Sequence, residues 1–127
     1  MDLMTAELRS AIPTQFALGS QSGRGDQAKV LVKFFFPAGR YTFFATEGGP
    51  IGDDFHFFGY CLSPFGPDCD EWGYTALSEL ASVNLRGLTI ERDLQVPFAT
   101  RTVGELLLGH LTRPFPNTEG ALPWTLS

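Results

Sequence analysis

Val30-Leu-Val-Lys-Phe-Phe-Phe36, Arg40-Tyr-Thr-Phe-Phe-Ala-Thr46 and Asp54-Phe-His-Phe-Phe-Gly-Tyr-Cys61 are three successive aromatic-rich runs, and their reading decides the fold. Aromatic and β-branched residues suit a pleated, half-buried surface, so each run reads as a strand. Nine of the twelve phenylalanines precede residue 60, most of them in these runs. That density makes an antiparallel sheet the core. In the first run Val30, Val32, Phe34 and Phe36 alternate with Leu31, Lys33 and Phe35. Both sets are largely apolar, so the strand is expected to be covered on both faces, with Lys33 paired or at an edge. Pro37-Ala-Gly39 is the expected hairpin turn, with a positive φ at the glycine. In the second run Tyr41, Phe43 and Ala45 share one face. Glu47-Gly-Gly-Pro-Ile-Gly-Asp-Asp54 then reads as a loop.

Outward from these runs, Thr5 to Ile12 reads as a short helix capped by Thr5 and stopped by Pro13. Gly19 to Gln27 is a loop by composition, and its Arg24-Gly-Asp26 triplet reads as a turn rather than an adhesion motif. Ser63 to Asp70 is a second loop, and Glu71 to Tyr74 a short strand or turn. A helix is expected from Ala76 to Val83, capped by Thr75. Thr89 to Val96 reads as a strand or extended arm. Thr102-Val-Gly-Glu105 is a capping box opening another helix. From Arg113 the prolines predict an irregular tail carrying Trp124. The expected organisation is a single α+β domain over residues 1–112, with an antiparallel sheet of at least three strands and two or three helices packed against it, followed by a tail at 113–127.

Length and composition bound the function. At 127 residues, 43% apolar and 18% charged, the chain is of ordinary globular composition. Its net charge is −5, which argues against nucleic acid as a partner and suits a basic protein partner. No membrane span is expected. The N-terminal residues lack a basic and then apolar leader pattern, so a cytoplasmic location is expected. Cys61 and Cys69 are too few for a four-cysteine zinc site, and a disulfide between them is not favoured in a chain without secretion signals. No cofactor or metal is expected.

The polar residues that merit weighing are few. Glu47, Asp53 and Asp54 flank one loop and read either as an acid–base or metal group or as solvated loop acids. His56 lies on a strand beside Asp54, as a general base or as an edge histidine. Glu91-Arg92-Asp93 is the densest charge cluster. Arg92 is expected to point with Ile90 and Leu94, either as the centre of a buried ion pair with Glu47 or Glu79 or as an anion-binding group. Trp72, Tyr74, Phe34, Phe43 and Phe44 offer base-stacking faces, but without basic companions they read as packing.

Lys33-Phe-Phe-Phe-Pro37, Tyr41-Thr-Phe-Phe-Ala-Thr-Glu47, Phe58-Gly-Tyr60, Trp72-Gly-Tyr-Thr-Ala-Leu-Ser-Glu-Leu80 and Gly87-Leu-Thr-Ile-Glu-Arg-Asp-Leu94 occur in an order that resembles the domain-of-unknown-function family 2958. The resemblance spans roughly Thr5 to Phe98. It departs from the family pattern at Phe36 and at Thr75-Ala76. It implies a small bacterial protein, often encoded among plasmid and other mobile-element genes, and brings no established activity. It marks Glu47, Gly59, Gly73, Glu79, Glu91, Arg92 and Asp93 as motif positions. The candidate polar cluster is therefore Glu47, Asp54, His56, Glu79, Glu91, Arg92 and Asp93.

The function these residues lead to is a non-enzymatic accessory or interaction module with a protein partner, as a monomer or homodimer. The alternative is a small hydrolase or metal-dependent enzyme using Glu47, Asp54, His56 and Arg92. A nucleic-acid-binding module is the third reading.

Overall fold

A computed structural model of the protein describes residues 2–111. The expected tail at 113–127, with Trp124, lies outside the described residues. Among the described residues there are three α-helices and seven strands. They are α1 (Ala6–Gln15), β1 (Val32–Phe35), β2 (Thr42–Ile51), β3 (Asp54–Leu62), β4 (Glu71–Ala76), α2 (Leu77–Ser82), β5 (Asn84–Leu85), β6 (Leu88–Thr89), β7 (Glu91–Arg92) and α3 (Val103–Leu111). Five strands form one antiparallel sheet in the order β4-β3-β2-β1-β7, and β5 and β6 form a separate hairpin. This is the α+β arrangement expected from the aromatic runs.

The sheet is covered on both faces. One core packs α1, α2 and the N-terminal Leu3 and Met4 against Phe34, Phe43, Phe55 and Phe57. The other gathers Ala28, Val30, Phe44, Leu62 and Val103 of α3. Phe34, Phe43 and Phe44 are thus buried, as packing requires. Lys33 is paired: its ammonium lies 3.1 Å from Asp93.

Several element bounds differ from expectation. α1 is capped by Thr5, whose Oγ1 accepts from Leu8 N at 3.1 Å, but it runs past Pro13 to Gln15. A proline in the last turn removes only one helical bond, and Phe16 N still closes on Ile12 O at 2.7 Å. The first strand is shorter than the apolar run, and Gly39 has no positive φ; Phe36 N and Tyr41 O close that connection at 3.0 Å. Ala76, not Thr75, caps α2, and Glu79 accepts from Ala76 N at 2.9 Å. The capping box of α3 forms in both directions between Thr102 and Glu105.

The largest difference is in β2. Glu47-Gly-Gly-Pro-Ile51 is not a loop but the second half of that strand, and the turn is confined to Gly52 and Asp53. Within β2, β1 pairs only with residues 42–45. Beyond that point β2 has a strand on one side alone, so Pro50 breaks no ladder on the other. The open side meets α1 instead. Gly48 N donates to Phe16 O at 2.9 Å, and a Cβ on Gly48 would stand 2.9 Å from the Ile12 side chain. The glycine lets the helix lie directly on the strand.

Candidate functional site

A β-bulge organises the polar side of the sheet. Ala45 pairs with Gly59, Thr46 is passed over, and Glu47 pairs with Phe58. Strand alternation would place Glu47 with Phe43 and Ala45, on the face covered by α1. The extra residue reverses the phase and sends Glu47 to the opposite face, with Phe58. There it is 3% exposed.

A buried carboxylate needs donors, and the loop after α1 supplies them. Gly19 N donates to Glu47 Oε1 at 2.6 Å and Gln21 N to Oε2 at 2.9 Å. Gln21 is itself buried. Its Nε2 donates to Thr46 O at 2.7 Å and Lys29 O at 2.8 Å, and its Oε1 accepts from Lys29 N at 2.8 Å. Gly19, Gly23 and Gly25 take positive φ, which lets the loop fold back on itself in successive turns. The Arg24-Gly-Asp26 triplet leads into a single 3-10 turn at Gly25–Gln27.

Between this loop and the sheet lies an open groove of about 370 Å³, lined by Gly19, Gln21, Gly23, Glu47, Phe58, Trp72 and Tyr74 among others. Its sheet wall is an aromatic row that crosses β3 and β4. Phe58 stacks on Trp72 with centroids 5.8 Å apart and tilts against Tyr74 at 4.9 Å. Tyr60 meets Trp72 edge-on at 5.3 Å. Such cross-strand pairs hold two strands in register. Burial pushes the Tyr60 hydroxyl above its ordinary pKa, and the neighbouring Asp70 and Asp26 push the same way. Tyr74 is 70% exposed, and β4 is the last strand of the sheet.

The remaining candidate residues are distributed over three places. Glu47 belongs to the groove. Asp54 and Glu79 meet at the start of α2: Asp54 accepts from the Ser78 amide and hydroxyl, and Glu79 caps the same helix. His56 pairs with Gly49 and Ala76 in the ladders beside them. Glu91, Arg92 and Asp93 lie at the far edge of the sheet on or beside β7. Arg92 does not take Glu47 or Glu79 as its partner. Its Nη1 donates to the carbonyls of Asp2 at 3.1 Å and Leu3 at 2.8 Å, tying the N-terminus to the edge strand. The partner of Asp93 is Lys33. Among the described residues no three His, Cys, Asp or Glu side chains form a group able to hold a metal ion. Cys61 and Cys69 are free thiols, and burial pushes Cys61 above the ordinary thiol pKa. No helix among the described residues is long and apolar enough to cross a membrane.

Gln21 is the residue that sequence reading missed. A lone glutamine in a Gly/Ser-rich loop carries no pattern, and its burial depends on a bulge 25 residues away in a strand of ordinary composition.

The family model "Protein of unknown function (DUF2958)" matches residues 3–103. The chain belongs to the DUF2958 family. The match takes in every residue of the groove and all seven residues of the candidate polar cluster. Nothing among the curated proteins or the solved structures matches this DUF2958 chain.

Proposed function

We propose that this DUF2958 protein is a non-enzymatic binding module whose working surface is the groove and the adjoining outer edge of β4. The observation that carries the reading is the aromatic row. Phe58, Tyr60, Trp72 and Tyr74 form a continuous, partly exposed strip at the end of the sheet. Tyr and Trp present large apolar faces at low entropic cost and are enriched where proteins meet partners. The polar groups beneath the strip are already satisfied, Glu47 by two loop amides and Gln21 by three backbone groups. They give the groove a rigid floor rather than a reactive one. Asp54 and Arg92, which an enzyme reading would use, are engaged apart from the groove, Asp54 with the start of α2 and Arg92 with the N-terminal carbonyls. An accessory role in a mobile genetic element, as the family resemblance implies, fits a module of this kind.

Placing a photo-reactive phenylalanine analogue at position 74, and in a control at exposed Leu85, tests the reading inside the source cell. A discrete protein adduct is expected from position 74 alone, and Trp72→Ala in the same chain is expected to abolish it. No adduct from position 74, or the same adducts from both positions, would overturn the proposal.

A further inference from the structure

We infer that the groove edge receives an extended, basic polypeptide segment, which adds to the sheet alongside β4 and lays Arg or Lys side chains against Tyr74 and Trp72. This rests on the binding-module reading and names the chemistry of its partner. Two independent features carry it.

The first is backbone geometry. Among the described residues, β4 is a six-residue strand paired on one side only, with β3. Among the described residues no strand pairs with its outer side. Alternate residues of an edge strand direct N–H and C=O groups outward, and an added strand satisfies them. Side chains of the incoming segment that point to the groove side would lie next to the Trp72–Tyr74 row, at the spacing of cross-strand neighbours.

The second is charge. From Tyr41 to Leu85 the chain holds seven carboxylates and neither Lys nor Arg. That stretch contains β2, β3, β4 and α2. The sheet order puts β4 at the end farthest from β1 and β7, which carry Lys33 and Arg92. Arg40 is brought to the start of β4, but Asp70 neutralises it in a bidentate pair at 2.6 and 2.8 Å. Asp68 and Glu71 are exposed there and form no ion pair among the described residues. A basic segment arriving along β4 meets two aromatic rings on the groove face and, at the start of the strand and on its other face, uncompensated carboxylates; rings and carboxylates both favour cations. The same field repels phosphate backbones. It also repels a second copy of β4, which would bring a second Glu71 and Asp68 to the seam.

The test uses the full chain carrying Trp124→Phe, so that Trp72 is its sole tryptophan. Trp72 fluorescence is titrated with three extended peptides, which alternate threonine with arginine, with glutamate or with glutamine. The arginine peptide is expected to bind at least about tenfold more tightly than the glutamate peptide at low salt, the ratio that a few surface ion pairs supply. Tyr74→Ala is expected to weaken it about threefold to fivefold, the size of an exposed cation–π contact. Proline in place of the threonines, which removes backbone donors, is expected to abolish binding. β4 amides are expected to gain hydrogen-exchange protection only with the arginine peptide.

Equal binding of the arginine, glutamate and glutamine peptides would overturn the basic-segment inference and leave the groove reading standing. Binding of none of them, with a discrete cross-link at position 74, would do the same. A peptide-free dimer with protected β4 amides would overturn it in favour of self-pairing, and tighter binding of an RNA oligonucleotide would overturn it in favour of nucleic acid.

Discussion

Gly59 and Gly73 face each other across the β3–β4 pair, yet only Gly59 has to be a glycine. A Cβ on Gly59 would overlap the carbonyl oxygen of Phe44 and stand 2.9 Å from the Ala45 Cα. Both contacts are backbone, so neither can rotate away. The cause is the bulge at Thr46, which brings β2 against β3 at that residue. A Cβ on Gly73 would meet nothing within 4 Å. Gly59→Ala is therefore expected to cost about 3 kcal/mol or more, or to prevent folding. Gly73→Ala is expected to be neutral or to stabilise by up to about 1 kcal/mol, since glycine in a strand interior is entropically unfavourable. Urea midpoints of the two variants decide it. A Gly59→Ala protein of wild-type stability would mean that the bulge is not where the sheet is tightest.

The same bulge makes Glu47 a test of the groove floor. Glu47→Ala leaves the amides of Gly19 and Gln21 without their acceptor, at a cost of about 2–4 kcal/mol. Glu47→Gln keeps one acceptor oxygen and turns an N–H toward the other donor, so about half that loss is expected. The loop at residues 19–25 should lose hydrogen-exchange protection first, and the aromatic row last. Uniform loss across the sheet in either variant would show that the carboxylate holds the whole domain rather than the loop.

The Thr46 bulge also marks where the sequence stops being legible. The three aromatic runs, the Thr5 cap, the Thr102–Glu105 capping box and the sheet they imply can be read because each depends on neighbours two to four residues apart. The bulge cannot be read, since Ala45-Thr46-Glu47 would pass for regular strand. Gly48-Gly49-Pro50 reads as a loop because those residues are rare in strands. They are tolerated here only because β1 ends early and α1 takes the open side of β2. Arg92 was expected to need a carboxylate, but carbonyl oxygens of Asp2 and Leu3, some ninety residues away, serve it. The groove itself follows from how far the loop after α1 covers one of the two apolar faces, and that is decided by the placement of loops. Of its wall, Trp72 and Tyr74 are legible as aromatics, but not the exposure of Tyr74.

Acid stability gives a further prediction. Asp54 accepts from Ser78 Oγ and from the amides of Phe55 at 2.8 Å and Ser78 at 3.1 Å. These donors, the Ser78 hydroxyl foremost, hold its carboxyl below the ordinary pKa. The folded-state value lies below the unfolded one. The stabilisation is therefore fully present above the unfolded value of about 4 and is lost as the pH falls through the folded value. Asp54→Asn is expected to flatten the acid limb of stability between about pH 2 and pH 5, with little pH dependence gained above it. Ser78→Ala should return the carboxyl toward its ordinary value, visible in an NMR titration of the Asp54 side chain. An unchanged titration would remove Ser78 as the cause.

Lys33 and Asp93 tie β1 to the turn after β7, and the pair has little solvent around it. Their side chains are 14% and 8% exposed. Asp93 also accepts from Gln95 N at 2.8 Å, and Asp93 N donates to Lys33 O at 2.8 Å. The lysine ammonium lies over Phe35, with Nζ 5.9 Å from the ring centre. Lys33→Met retains the apolar stem and removes the charge, leaving the Asp93 carboxylate without its counter-charge. A loss of about 3 kcal/mol is expected, toward the low end for breaking a buried pair because the Gln95 amide remains. Asp93→Asn should cost less, since the amide can still accept from Gln95. Combining the two should cost less than the sum of the single changes, with a coupling of about 1–2 kcal/mol in a double-mutant cycle. A coupling of zero would mean that the β1–β7 edge is held by its backbone ladder and by the Arg92 contacts, and that the ion pair is incidental to it.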